Sequence, residues 1–368
     1  MPPVDEFRLL VLEDNEEELG RFSRNIEEFN ETSDIKFHHT ETRTSNEAIQ
    51  SLNIRRFDCA LLDLRVPSAP GEEQHGDQGN KTLQQIVAGY ALPVVVHSAY
   101  RYELDESFQH IPFKVIDKEV ESHRDALRWF VEQAPLMAAV RETRKRIQAQ
   151  TANVFFKAIW PRWSRDDGIT LEGDALHDVI SRQIVSYISE KLSIPGSGPD
   201  GHHLHEFYFV PPLREGRLYT GDLINHDGHV HVIVTPQCNI ANSYPGHFLL
   251  ARCKDISGKW SDCRQLIAGN KGQPSNKVKD KVADWATQKV DISEHFLPPC
   301  DDLGPWLVDF KTVVSIPKAE AEILVANRFA SITPQFIPNL IQRWASYMGR
   351  VGQPDLNRSD LIAHIVSE

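Results

Sequence analysis

A parallel α/β sheet in the first third of the chain, followed by a separate α+β domain with a β-rich core, is the fold that the sequence predicts. Three observations predict it. Short apolar runs alternate with amphipathic helical segments through residues 7–133. One of those runs ends on a pair of acids and three more end on lone polar or charged side chains. After residue 160 the alternation gives way to a helix and then to mostly strand-like segments. Alternating strands and helices read as a parallel sheet covered by helices on both faces.

The strand-like runs of the first part are 7–12, 35–39, 57–62, 92–97 and 112–117. Between them, Leu19, Phe22, Ile26 and Phe29 recur at helical spacing over 16–29. So do Leu83, Ile86, Val87 and Tyr90 over 79–90, and Leu127, Phe130 and Val131 over 121–133. Pro135 suits the first turn of a new helix. From Leu136 the pattern runs on through Val140, Thr143, Ile147, Thr151, Val154 and Ala158, which predicts a linker helix over 134–160. It reads equally as a helix packed on a domain and as a coiled coil between two subunits.

The domains expected are 1–133, the linker 134–160, and 161–368. In the last, helical spacing marks 173–192, and Pro195 to Gly201 reads as a loop. Candidate strands follow at 206–210, 230–235, 247–252 and 306–316, with Leu218 to Ile224 as a further one. The polar, lysine-bearing segment 269–289 is expected to be an exposed loop, and Phe329 to Met348 a closing helix from Pro338 onward. Arg343, Trp344 and Arg350 there are candidates for a partner surface.

Bulk properties narrow the function classes. A chain of 368 residues is expected to hold two or more cores. The net charge is −12, with 18 Lys/Arg against 27 Asp/Glu in residues 1–150 and 22 against 25 in the rest. Neither half is basic, so non-specific nucleic-acid binding is not favoured. No apolar run reaches the ~20 residues of a membrane span. Five cysteines without regular spacing, and no signal-peptide pattern after Met1, point to a reducing, cytoplasmic setting.

The chemistry sits at the strand ends. Leu9-Leu10-Val11-Leu12 is followed by Glu13 and Asp14, Cys59-Ala60-Leu61-Leu62 by Asp63, the run to His97 by Ser98, and Val115-Ile116-Asp117 by Lys118. Ligands bind at the carboxyl ends of the strands in open parallel sheets. Three carboxylates, a hydroxyl and an amine at those ends describe a site for Mg²⁺ and a phosphoryl group. Asp63 is the candidate nucleophile. Glu13, Asp14 and Asp63, with the backbone carbonyl of Arg65, are the candidate metal ligands. Ser98 and Lys118 are placed to hold phosphoryl oxygens.

Residues 7–133 resemble a response-regulator receiver domain. Leu10-Val11-Leu12-Glu13-Asp14-Asn15 is similar to the family's acidic-pair strand, and Leu61-Leu62-Asp63-Leu64-Arg65-Val66-Pro67 to its phospho-acceptor strand. Val96-His97-Ser98-Ala99 and Ile116-Asp117-Lys118 are similar to its hydroxyl and lysine strands. The resemblance covers about a third of the chain. It implies a flavodoxin-like five-stranded sheet and transfer of a phosphoryl group from a sensor histidine kinase to Asp63. Mg²⁺ is the cofactor expected from the carboxylates, and a homodimer is expected through the linker helix or the receiver face.

Three departures from the pattern bear on the output. Glu119 stands where a proline follows the lysine, Val115 stands where an aromatic switch residue lies, and Ser68 to Gln78 forms a longer, polar connection carrying Glu72, Glu73, His75 and Asp77. Tyr100 and Tyr102 are the candidates to replace the missing aromatic.

For the second domain the sequence names no catalytic constellation. Tyr219 to Ile224, His229 to Cys238 and Phe248 to Cys253 faintly resemble the SH3-like barrel of toxin endoribonucleases, but an ordinary β core is the preferred reading. Cys238, Cys253 and Cys263, with His202, His203, His205, His229 and His231, match no standard zinc spacing. Cys59, Cys238 and Cys253 read as core residues. The expected function is a response regulator acting through an unfamiliar output domain. The alternatives are a phosphorylation-independent scaffold and a receiver-gated nuclease.

Overall fold

The computed structural model describes residues 6–108, 110–111, 113–163, 172–193, 201–212, 216–243, 246–350, 352 and 355–367. The chain divides into two compact units, Met1–Ile194 and Pro195–Glu368. This division falls later than the sequence boundary at 160/161. Helix α7 (Gly173–Ser193) is the reason: it packs against α5 (Ala134–Val154) in the first unit. The expected loop Pro195 to Gly201 lies outside the described residues except for Gly201.

The first unit is built on β1 (Glu6–Leu12), β2 (Lys36–Thr42), β3 (Cys59–Leu62), β4 (Val94–His97) and β5 (Lys114–Ile116), all parallel, in the order β2-β1-β3-β4-β5. That is the flavodoxin-like order, and the first unit has the receiver fold. Strands β3 and β4 are buried along their whole length, which is why they read as unbroken apolar runs.

Side-chain alternation sends Leu9 and Val11 to one face and Leu10 and Leu12 to the other. The first face packs on Phe22 and Ile26 of α1 (Glu16–Thr32), Leu127 and Phe130 of α4 (His123–Glu132) and Met137 of α5. The second packs on Leu52 of α2 (Ser45–Ile54) and Leu83 and Ile86 of α3 (Gly76–Gly89). Between β4 and β5 the described residues form only two 3₁₀ turns, Arg101–Glu103 and Glu106–Phe108.

Helix α5 is anchored at the strands' N-terminal ends. Arg141 grips Asp58 at 3.1 and 3.2 Å, and Arg144 donates to the carbonyls of Phe57 and Ala91. The linker helix runs further than expected. A π-helical turn, Phe155–Ile159, carries it into α6 (Trp160–Trp163).

The second unit holds a seven-stranded antiparallel sheet, with the order β10-β11-β9-β8-β7-β12-β6. Its strands are β6 (Tyr208–Phe209), β7 (Asp222–His226), β8 (His229–Ile233), β9 (His247–Asp255), β10 (Glu294–Leu297), β11 (Trp306–Pro317) and β12 (Arg328–Ile332). β7 and β8 meet through Asp227-Gly228, both with positive φ (48° and 73°), as a tight two-residue hairpin requires. Helices α8 (Gln237–Ser243), α9 (Ser257–Gly269), α10 (Asn276–Ala286), α11 (Ala321–Ala326), α12 (Ile337–Met348) and α13 (Arg358–Ser367) complete the unit.

Two sequence expectations for this unit are corrected, and the closing helix expected from Pro338 onward, found at Ile337–Met348, is preceded by a further strand. The segment 269–289 is not a loop throughout: α10 crosses it, and Val278 and Trp285 are buried under the lysine-rich face. Residues 328–332 form a strand between β7 and β6 before the closing helix starts. Arg343 does not face a partner surface, because its guanidinium donates to the carbonyls of Gln288, Asp291 and Glu294 at 2.8–3.1 Å.

Candidate functional site

The ladder of the parallel sheet is continued by the residues that follow the strands. The Glu13 N–H donates to Thr42 C=O (3.0 Å), Asp63 N–H to Leu12 C=O (2.9 Å), and Ser98 N–H to Ile116 C=O (3.1 Å). These bonds fix the backbone of three candidate residues against the neighbouring strand. Asn15 then starts α1 by accepting hydrogen bonds from the backbone N–H groups of Glu17 and Glu18. The chain therefore turns away directly after Asp14, and the acidic pair stays at the strand end.

The structure brings Glu13, Asp14, Asp63 and Lys118 together. Lys118 Nζ lies 2.5 Å from Glu13 Oε2 and 2.5 Å from Asp63 Oδ2. Glu13, Asp14 and Asp63 each offer a carboxylate oxygen, and the three atoms lie within 4.8 Å of one another. Glu13 and Asp63 are buried. Burial pushes the Glu13 carboxyl up to about 7, with Lys118 pulling it down and Asp63 adding to the rise. Burial works against the Lys118 ammonium, but Asp63 and Glu13 outweigh it and its pKa is raised.

A purely oxygen donor set of this kind is what Mg²⁺ takes, together with retained waters. Ser98 is fully buried, and its Oγ accepts the Tyr100 backbone N–H at 3.2 Å. Arg65 follows β3 and Asp63. Its N–H lies 3.4 Å from Asp63 Oδ1, and its guanidinium forms a two-pronged ion pair with Glu103.

Two further residues at the site carry no signal that singles them out in the sequence. Gln74 Nε2 donates to Asp14 Oδ2 at 2.5 Å. It gets there because the polar connection folds back, with His75 bridged to Val66. Of the residues flagged in that connection, Glu72 accepts a bond from Ser68, and Glu73 and Asp77 are exposed. Gly79, on α3, is the second. A Cβ there would lie 2.4 Å from the Asp63 carbonyl oxygen and 2.4 Å from Leu64 Cα, so only glycine lets the helix sit this close to the end of β3.

Among the described residues, Cys238, Cys253 and Cys263 form no metal-binding group with the histidines named from the sequence. Cys253 and Cys263 are buried, whereas Cys238 is exposed and not a core residue. His229 is held by Arg252 at 2.9 Å, and His231 Nδ1 bonds the His229 carbonyl. The cysteine that does meet a histidine is Cys300, beside His205. Asp222 is buried on β7, where it accepts bonds from Tyr219 N–H, Ser331 and Arg328.

No protein-family model matches the chain, and no curated protein matches it. Solved structures do. About 35% of this chain aligns with 99% of a CheY-like response regulator receiver domain from Methylobacillus flagellatus, at 15% identity and a TM-score of 0.28. It aligns likewise with 98% of the receiver domain of a sensor histidine kinase from Pseudomonas aeruginosa PAO1, described with a magnesium ion in its active-site cleft, at 15% identity and a TM-score of 0.28. A response regulator from Thermotoga maritima, described in complex with Mg²⁺ and BeF, aligns over 98% of its length at 19% identity and a TM-score of 0.26. The receiver fold of the first unit rests on its own strand order and register. Among the described residues, no helix is long and apolar enough to cross a membrane.

Proposed function

We propose that the first unit is a phosphoryl acceptor with Asp63 as the accepting residue, and that the chain works as a response regulator. A carboxylate oxygen of Asp63 attacks the phosphorus of a phosphohistidine on a partner kinase. The new O–P bond makes an acyl phosphate, the donor's N–P bond breaks, and the imidazole leaves and takes up a proton. Glu13, Asp14 and Asp63, with the Arg65 carbonyl, would hold Mg²⁺, whose contribution is to offset negative charge on the phosphoryl oxygens. Lys118 pairs with one phosphoryl oxygen, and the Ser98 hydroxyl donates to another.

The observation that carries this reading is Lys118 Nζ at 2.5 Å from both Glu13 and Asp63, beside a third carboxylate. An ammonium held between two buried acids is a counter-ion already in place for an anionic group that arrives on Asp63. The signal would then regulate the second unit, and self-association is the expected route.

The test is incubation of the full chain with Mg²⁺ and acetyl phosphate, or with a phosphorylated histidine kinase, followed by measurement of acid-labile phosphate. Label is expected in the wild type and not in Asp63→Asn. Equal label in both removes the reading. No label in either, together with a stable partner complex, favours a scaffold that works without phosphorylation. Light scattering with and without phosphorylation checks the dimer.

A further inference from the structure

The connection between β10 and β11 holds a second group of metal-binding side chains. Cys300 and Leu303 exchange backbone hydrogen bonds (3.0 and 2.8 Å), which closes a tight turn. Asp301 sits in that turn with a left-handed backbone, φ +49°, a conformation that aspartate tolerates better than most residues. His205, from the 3₁₀ turn Leu204–Glu206, lies against it. His205 Nδ1 is 3.3 Å from Cys300 Sγ and 3.7 Å from Asp301 Oδ2, and Cys300 Sγ is 3.7 Å from the same oxygen.

These three distances are the edges of a triangle of sulfur, nitrogen and oxygen. A tetrahedral zinc ion, with bonds of about 2.3 Å to sulfur and about 2.1 Å to nitrogen and oxygen, holds such ligands roughly 3.4–3.6 Å apart. The triangle is already near that size without rearrangement.

We infer that the second unit binds a transition-metal cation of the zinc class through Cys300 Sγ, His205 Nδ1 and the Asp301 carboxylate. The donor set separates this site from the Glu13, Asp14 and Asp63 group. Thiolate and imidazole select borderline and soft cations, whereas Mg²⁺ and Ca²⁺ take oxygen. Cys300 is buried, while His205 and Asp301 are exposed and leave the cation a way in. His203 positions the ligand histidine: its ring stacks on His205 at 5.1 Å, and its Nδ1 accepts the His205 backbone N–H at 3.3 Å.

Three protein ligands leave a fourth position for water or a small molecule, the pattern of a reactive or ligand-binding zinc and not of a closed structural one. The chain neighbours of the cluster, His203, Leu204, Pro298 and Pro299, line a cavity of about 650 Å³ together with Trp285 and Phe336.

Cobalt substitution of the full chain tests the site. After treatment with a chelator, Co²⁺ is added and the thiolate-to-cobalt charge-transfer band is followed, then displaced with Zn²⁺. One equivalent of Co²⁺ is expected to give the band in the wild type, in Asp63→Ala and in Cys238→Ser. Cys300→Ser should abolish the band. Asp301→Asn and His205→Ala, changes at exposed residues, should weaken Zn²⁺ binding by about 100-fold. Absence of the band in the folded wild type overturns the proposal, as does a band that survives Cys300→Ser or affinities unchanged in both exposed-residue variants. Those outcomes would mean a hydrogen-bonded Cys–His pair without a metal.

Discussion

The guanidinium of Arg65 lies over the ring of Tyr100, with its Cζ 3.6 Å from the ring centre. The same group is ion-paired to Glu103, and the Tyr100 N–H binds the Ser98 hydroxyl. Arg65 follows β3, and Ser98 ends the neighbouring strand, so two sides of the site are tied to the 3₁₀ turn at Arg101–Glu103. On the proposed function, with Val115 where the resemblance expects an aromatic residue, this Arg65–Tyr100 contact is a candidate route out of the site.

If the Ser98 side chain swings its Oγ away from Tyr100 to reach a phosphoryl oxygen, the Tyr100 N–H loses its acceptor and the turn loosens. Backbone hydrogen exchange over residues 99–108 should then speed up when beryllofluoride and Mg²⁺ are added. In Tyr100→Ala, phosphate incorporation should persist, while the exchange difference between free and beryllofluoride-bound protein should largely disappear. Exchange over 99–108 that ignores beryllofluoride in the wild type would break this link.

Lys118 also has a structural role. Replacing it with Met leaves Glu13 and Asp63 as buried, uncompensated neighbours, a change that typically costs about 3–5 kcal/mol. The variant should unfold at a lower urea concentration than wild type, and Mg²⁺ should recover more stability in the variant because a divalent cation restores the missing charge. The comparison is a pair of urea titrations with and without Mg²⁺. A loss of stability that Mg²⁺ does not reduce in the variant would show that charge compensation is not what Lys118 supplies.

The legible parts of the sequence were those with one strong cause. β3, β4 and the second half of β1 are buried on both faces, so they appear as apolar runs that lead into the candidate site residues. β10 and β12 are short and partly polar, and the strands that flank β12 lie about a hundred residues back in sequence, so neither stands out. α10 looked like a loop because its lysines outnumber the few side chains that anchor it, Val278 and Trp285. Gln74 reaches Asp14 only because the connection after Pro67 doubles back. Cys300 and His205 are 95 residues apart and share no motif, so only the folded chain pairs them.

Gly79 offers a test of how closely α3 must approach the end of β3. An added methyl would meet backbone atoms of Asp63 and Leu64 at 2.4 Å, which no side-chain rotation relieves. Gly79→Ala should destabilise the first unit by about 1–3 kcal/mol, the usual range for overpacking. Helix propensity alone predicts a gain of about 1 kcal/mol. The sign therefore separates the two causes, and an unfolding midpoint above that of wild type would refute the close packing. Gly89, with open space around it, is the control where alanine should do no harm.

Two buried histidines set an acid limit, one in each unit. Burial, with the charges of His123 and Lys118 adding to it, brings His97 from its ordinary 6.5 down to about 3. Burial, aided by Arg343, does the same to His295. Both rings stay neutral in the folded chain while the unfolded chain takes up protons below pH 6.5. Their contribution is therefore complete above pH 6.5 and is lost as the pH falls toward 3. At about 1.4 kcal/mol per pH unit, each histidine should cost about 2 kcal/mol at pH 5. Glu13, pushed up to about 7, acts in the opposite sense in the first unit, so the comparison must be made between variants. His97→Phe and His295→Phe should each lose less stability than wild type between pH 7.5 and pH 5, in the unit that carries the change. Urea midpoints at the two pH values measure this, and equal losses in wild type and variant would show that these rings are not what titrates.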